Sequence, residues 1–129
     1  MPRALRVEDL MSTALVCVRD ADTLDRAKRE MRSAGIHHLP VVDAHRNLVG
    51  VLSTTDLAKY STGRWSHRRV GTCMTRAPVA VRPETSMTQA RGLMLENGFR
   101  SLPVVGSDGH LIGILTETDL LRASEGFQP

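Results

Sequence analysis

Aromatic side chains are scarce in this sequence of 129 residues: Tyr60, Trp65, Phe99 and Phe127 are all there are. Proteins that hold single-stranded nucleic acid stack bases on aromatic faces, and this chain has almost nothing from which to build such a platform. Cysteine is as sparse. Cys17 and Cys73 show no C-x-x-C or metal-type spacing, so neither a redox pair nor a metal site is expected, and the reduced cytoplasm is the expected compartment. No apolar run approaches the ~20 residues that span a bilayer. The start, Met-Pro-Arg-Ala-Leu-Arg-Val, lacks the apolar stretch of a secretory signal. There is no P-loop, G-x-G-x-x-G, G-x-S-x-G or H-E-x-x-H. With no nucleophile–base pair or metal cluster either, an enzyme is not expected.

What is present is ordinary globular composition, 41% hydrophobic and 24% charged, enough for one domain or two small lobes sharing a core. The balance is mildly basic, 17 Lys+Arg against 14 Asp+Glu.

The strongest signal is an internal repeat. Shifted by about 63 residues, the chain lies on itself without a gap. Val7 falls on Val70, Met11 on Met74, Ala27 on Ala90, Met31 on Met94, Gly35 on Gly98, Leu39–Val42 on Leu102–Val105, Gly50 on Gly113 and Asp56-Leu57 on Asp119-Leu120. Nineteen of the 51 positions from Val7 to Leu57 are identical. A lobe of that size does not easily close its own core, so the copies are expected to pack on each other with pseudo-two-fold symmetry. The expected division is a first domain at 5–60, a basic linker at 61–69, a second domain at 70–123 and a tail at 124–129. Arg64, His67, Arg68 and Arg69 make the linker basic; a solvated linker and a weak nucleic-acid contact both fit it.

Within one copy, Val7–Met11 reads as a helical turn and Leu15–Val18 as a strand. Asp22 or Thr23 caps a helix whose Leu24, Ala27, Met31 and Ala34 form one apolar face. Gly35 stops it. Leu39–Val42 is a strand, at an edge or with Pro40 at its start because proline donates no backbone hydrogen bond. Asp43–Asn47 is a polar turn. Leu48–Leu52 is a strand whose Gly50 implies close approach of a backbone or ligand. A last helix begins at Ser53. The fold class is therefore α/β (α+β), two β-α-β-β-α units.

Two motif pairs carry chemistry. Ser53-Thr54-Thr55-Asp56 and Thr116-Glu117-Thr118-Asp119 each open a helix after an apolar strand. They read either as capping boxes or as nucleotide contacts, the hydroxyl and free N–H groups meeting a phosphate and the Asp accepting the hydroxyls of a ribose. Gly35-Ile36-His37-His38-Leu39-Pro40 and Gly98-Phe99-Arg100-Ser101-Leu102-Pro103 read either as helix stops before edge strands or as a wall for adenine, with His37 and Arg100 near a phosphate. Thr13 and Arg76 occupy equivalent turns and suit either surface chemistry or a rim contact. Cys17, aligned with Ala80 in an apolar strand, reads as a small buried thiol rather than a reactive one.

Together these elements resemble a tandem pair of cystathionine-β-synthase (CBS) domains, a Bateman module. Each copy carries three of them: an opening element (Asp9-Leu10-Met11-Ser12-Thr13; Thr72-Cys73-Met74-Thr75-Arg76), a middle element (Gly35 to Asp43; Gly98 to Gly106) and a closing element (Gly50 to Leu57; Gly113 to Leu120). The resemblance covers residues 5 to 123 and implies units packed through their sheets. It implies an adenosine ligand, namely AMP, ADP, ATP or S-adenosylmethionine, with Mg²⁺ accompanying ATP and no required cofactor. It also implies a homodimer and a regulatory module that signals ligand binding to a separate effector. The alternative is an interaction protein with vestigial clefts. Carried over residue by residue, one cleft joins Thr13, Ala14, His37, His38, Leu39 and Pro40 with Ile114, Thr116, Thr118 and Asp119. The other joins Arg76, Ala77, Arg100, Ser101, Leu102 and Pro103 with Val51, Ser53, Thr55 and Asp56. The second copy departs from the family pattern at Arg76, Ser101 and Gly106. Arg76 and Arg100 make the cleft holding Asp56 the expected site for a charged nucleotide.

Overall fold

The computed structural model describes residues 3–60 and 67–124. Residues 61–66 of the expected linker and 125–129 of the expected tail lie outside the described residues. The chain forms two compact units, and neither coincides with one repeat. One comprises residues 16–78; the other joins 1–15 to 79–129.

In the unit of residues 16–78, β1 (Val18–Arg19) leads into α2 (Leu24–Ala34), β2 (His38–Val42), β3 (Leu48–Ser53), α3 (Thr54–Ala58) and β4 (Thr75–Arg76). The sheet order is β1-β2-β3-β4, with β1 parallel to β2 and the other pairs antiparallel. The other unit opens with α1 (Val7–Leu10) and continues with α4 (Met87–Asn97), β5 (Ser101–Val105), β6 (Leu111–Thr116) and α5 (Glu117–Ser124). Only β5 and β6 are full strands there. Single bridges, Val81 to Val104 and Ser12 to Ile114, stand where β1 and β4 stand in the first.

The sequence-based elements hold with two corrections. The strand expected at Leu15–Val18 is reduced to Val18–Arg19, because only Val41 and Val42 face it. The strand carrying Pro40 is an inner one rather than an edge. Proline is tolerated because β1 pairs with β2 only beyond it, leaving no donor missing from a ladder. The helix signals behave as expected. The Thr23 hydroxyl accepts from Arg26 N at 3.2 Å, Ser86 does the same for Gln89 N at 3.0 Å, and Gly35 and Gly98 end their helices with φ of 67° and 66°.

Each unit buries nine core residues. Val18, Leu24, Ala27, Met31, Leu39, Val41, Leu52, Val70 and Cys73 form one core. Val81, Met87, Ala90, Met94, Leu102, Val104, Leu115, Val7 and Leu10 form the other, at the equivalent positions of the repeat. Seven residues of each core thus come from one repeat and two from the other, Val70 and Cys73 or Val7 and Leu10, in its opening element and the residues that lead into it. The same three main-chain bonds dock that borrowed element in both units: Val70 N to Asp22 O, Gly71 N to Asp20 O and Leu24 N to Arg68 O in one; Val7 N to Thr85 O, Glu8 N to Pro83 O and Met87 N to Leu5 O in the other.

The β2–β3 and β5–β6 turns solve one geometric problem with different residues. Arg46 and Gly109 are equivalent and both have positive φ, 69° and 84°. In the first turn Asp43 accepts from His45 N at 2.8 Å and Asn47 N at 3.0 Å. In the second the carboxylate has moved to Asp108, which accepts from His110 N at 3.0 Å, and this accounts for glycine at 106. A side chain in the left-handed region costs about 1–2 kcal/mol, part of which glycine recovers. Arg46→Gly is therefore expected to raise the free energy of unfolding by about 0.5–1 kcal/mol, and Gly109→Arg to lower it by at least ~1 kcal/mol; urea denaturation of the two variants checks both signs. Burial opposes ionisation of Asp43, but the amides of Asn47 and His45 outweigh it, and the His110 amide likewise holds Asp108 below the ordinary carboxylate value. A depressed folded value gives stability that is present above the unfolded value near 4 and lost as pH falls through the folded one. The melting temperature is expected to drop between pH 5 and 3, less steeply in the Asp43→Asn/Asp108→Asn double variant.

Candidate functional site

In each unit the borrowed opening element crosses the middle of the closing strand. Ser12 and Ile114 exchange both main-chain hydrogen bonds at 2.9 Å, and β4 pairs Thr75 with Val51 and Arg76 with Gly50. The crossing is close because the strand carries glycine beneath it. A Cβ placed on Gly50 would lie 2.5 Å from Met74 Sδ and 2.8 Å from Thr75 O; one on Gly113 would lie 2.8 Å from Met11 Sδ and 3.1 Å from Ser12 O. The approach expected at Gly50 is therefore that of a backbone and a methionine. Thr13 and Ala14 follow the crossing directly in one unit, and Arg76 and Ala77 in the other, all exposed. Ala77 is held at φ 52°, a strained value for a residue with a Cβ. The Arg76 guanidinium donates to Gly71 O at 3.2 Å.

At the end of each closing strand lies a buried carboxylate. Asp56 and Asp119, 7% and 6% exposed, are the buried charged side chains of the described residues. Asp56 Oδ2 accepts from Ser53 N at 2.9 Å while Ser53 Oγ accepts from Asp56 N at 3.1 Å, a complete capping box. Asp119 Oδ2 accepts from Thr116 N at 2.8 Å, but the Thr116 hydroxyl also donates into it, at 3.1 Å. The flanking Thr55 and Thr118 are exposed. The structure thus gathers Thr13, Ala14, Ile114, Thr116, Thr118 and Asp119 in one unit, and Arg76, Ala77, Val51, Ser53, Thr55 and Asp56 in the other.

The middle elements sit differently. His37–Pro40 belongs to the unit of Asp56 and Arg100–Pro103 to that of Asp119. The His37 carbonyl accepts from Thr54 N at 3.0 Å, and the Arg100 carbonyl from Glu117 N at 3.1 Å. His37 and Arg100 are exposed, and His38 and Ser101 are half-buried. Leu39, Pro40, Leu102 and Pro103 are buried, and the two leucine side chains belong to the cores. Two residues escaped the sequence reading. Lys59 and Arg122, equivalent in the repeat, each reach back to the carboxylate three positions earlier. A basic residue at i+3 from both aspartates was the available signal.

Among the described residues no three His, Cys, Asp or Glu side chains are grouped to hold a metal ion, and no helix is long and apolar enough to cross a membrane. Cys17 is half-buried rather than buried, yet the burial it has pushes its thiol above its usual range, which suits an inert thiol.

The CBS domain family profile matches residues 7–63 and 70–126. A 17.7 kDa protein of Acidianus ambivalens is 33% identical over 120 residues, 93% of this chain and 73% of its own. The crystal structure of CBSX2 in complex with AMP, a CBS-pair protein of Arabidopsis thaliana, superposes with a TM-score of 0.86 at 34% identity, over 96% of this chain and 98% of that one. The cytosolic domain of the Mg²⁺ channel MgtE in complex with ATP gives 0.80 at 33% identity, over 92% of this chain and 48% of that one. In relatives named as enzymes, an inosine-5'-monophosphate dehydrogenase and homoserine O-acetyltransferases, the chain spans about a quarter of their length.

The two crossings differ in tightness. A sulfur at the end of a flexible side chain can move aside, whereas the carbonyl 2.8 Å from the Gly50 position moves only with its strand. Gly50→Ala is expected to cost about 2–3 kcal/mol and Gly113→Ala about 1 kcal/mol, within the usual range for overpacking. Urea unfolding of both variants gives the comparison; a Gly50→Ala chain as stable as the parent would mean the opening element is not held against this strand.

Proposed function

The chain belongs to the CBS-domain family as a tandem pair, and on that premise we propose that it is a regulatory module that binds an adenosine ligand. The observation that carries this reading is the AMP-bound CBSX2 relative, alike over nearly its whole length at 34% identity; the ATP complex of the MgtE domain supports the same ligand class. Within each unit the reading gives the buried carboxylate to the ribose hydroxyls, since a carboxylate accepts both at once. It gives the main chain and side chains of the opening element, Thr13-Ala14 or Arg76-Ala77, to the rest of the nucleoside. Arg76 gives the unit that carries Asp56 an exposed cation, which favours a phosphorylated ligand there. AMP, ADP, ATP and S-adenosylmethionine all fit this chemistry.

Such a module signals by population shift: a ligand that binds one arrangement of the chain better than another favours that arrangement, and an effector reads the difference. Association with a second copy is part of the proposal. The exposed Leu95 of α4 and Leu121 of α5, 71% and 61% accessible, support it as apolar surface without cover among the described residues. A second reading, an interaction protein whose carboxylates serve only as helix caps, is favoured by the complete Ser53–Asp56 box.

A thermal-shift panel with AMP, ADP, ATP, S-adenosylmethionine and GTP, with Mg²⁺ varied separately, decides between them. A ligand at 100 times its dissociation constant adds about 2.7 kcal/mol, and a rise of several degrees is expected for at least one adenosine compound and none for GTP. No shift with any compound would overturn the nucleotide reading in favour of the capping one.

A further inference from the structure

We infer that Arg122 holds the Asp119 carboxylate closed, so that the chain takes one nucleoside, at the unit carrying Asp56. The inference rests on the nucleotide reading and assigns its stoichiometry. The two aspartates are equivalent in the repeat and equally buried, and each commits one oxygen to the main-chain N–H three residues earlier. They differ in what else reaches them. A carboxylate offers about four acceptor sites. Asp119 has three engaged: two on Oδ2, from Thr116 N and Oγ1, and one on Oδ1, from Arg122 at 3.2 Å. Among the described residues Asp56 accepts one such bond, from Ser53 N, while the Ser53 hydroxyl accepts from Asp56 N.

The remaining oxygen decides the matter. At Asp56 Oδ1 the nearest cation of the described residues is the Lys59 ammonium, at 4.0 Å, beyond hydrogen-bond distance and on a side chain 68% exposed. An ammonium on a flexible stem, strongly hydrated, yields readily to an incoming hydroxyl pair. At Asp119 Oδ1 the group is a guanidinium already hydrogen-bonded, on a side chain 46% exposed. Charge-assisted bonds of this kind are roughly twice as strong as neutral ones, so a ribose gains little by displacing it. The lysine–arginine difference between the repeats thus separates an available carboxylate from an occupied one.

The test exchanges the two cations in the full chain and titrates AMP by isothermal calorimetry, with melting curves to confirm that each variant is folded. The parent is expected to bind one AMP per chain. Arg122→Lys is expected to bind two, and Lys59→Arg to bind its AMP about tenfold more weakly, a loss of about 1.4 kcal/mol. Both side chains are substantially exposed, so neither change threatens the fold. Two AMP per parent chain, an Arg122→Lys chain that still takes one, or weaker binding on loss of Arg122 would each overturn the inference while leaving the nucleotide reading intact. No heat from AMP, nor from ADP, ATP or S-adenosylmethionine titrated in its place, in the parent or in either variant would overturn both together.

Discussion

The close crossing of a borrowed opening element over a glycine is the constraint on which the rest of each unit depends. It places Met74 against Gly50 and Met11 against Gly113, and it seats Val70 and Cys73 in one core and Val7 and Leu10 in the other. A chain cut between the repeats would leave each unit short of two of its nine core residues and of the main-chain bonds that dock them. The repeat is therefore a unit of sequence, while the unit of folding is assembled from parts of both. The candidate site inherits this. Its rim residues Thr13-Ala14 and Arg76-Ala77 are held by the crossing, and its carboxylates by the closing strand beneath, so rim and carboxylate come from different repeats inside one packed body.

Much of this was legible in the sequence because it is periodic or chemical. The helices, a cap at Asp22 or Thr23 and the Gly35 and Gly98 stops follow from residue types whose preferences are local. Gly50 was readable as a close approach because an interior strand glycine forfeits packing and must be there for space. What was not legible depends on partners distant in the chain. The edge position inferred from Pro40 failed because a strand can run alongside another and still leave a proline unpaired, which only the register reveals. Leu39 and Leu102 read equally well as a ligand wall or as core. Their complete burial makes them core, and nothing in an apolar side chain announces which face it will turn inward.

The two motif readings at the closing elements are geometrically compatible. Capping the helix and presenting a carboxylate can use different oxygens of the same group: Asp56 Oδ2 satisfies the Ser53 amide, while Oδ1 lies 4.0 Å from the Lys59 ammonium. Asp rather than the longer Glu suits both tasks, since its short side chain keeps the carboxylate tight against the turn that it caps. The cap also holds the side chain in one rotamer, so a hydroxyl pair arriving there meets an acceptor already oriented and loses less entropy than it would on a free surface aspartate.

Divergence between the repeats is concentrated where the cores do not reach. Eight of the nine core positions keep apolar residues of similar size, Cys73 against Leu10 being the exception, because a change there is felt throughout a close-packed interior. At the turns and beside the carboxylates the copies part company: Asp43 against Asp108 as the turn acceptor, Arg46 against Gly109 at positive φ, Ser53 against Thr116, Lys59 against Arg122. The turn changes preserve one geometry by different means. Those beside the carboxylates do the opposite: under a nearly identical backbone they alter which hydrogen bonds the buried acid has left to offer. A duplicated fold can thus hold both scaffolds constant while giving its two equivalent positions unequal chemistry, and the inequality lies in the side chains that the packing leaves free to vary.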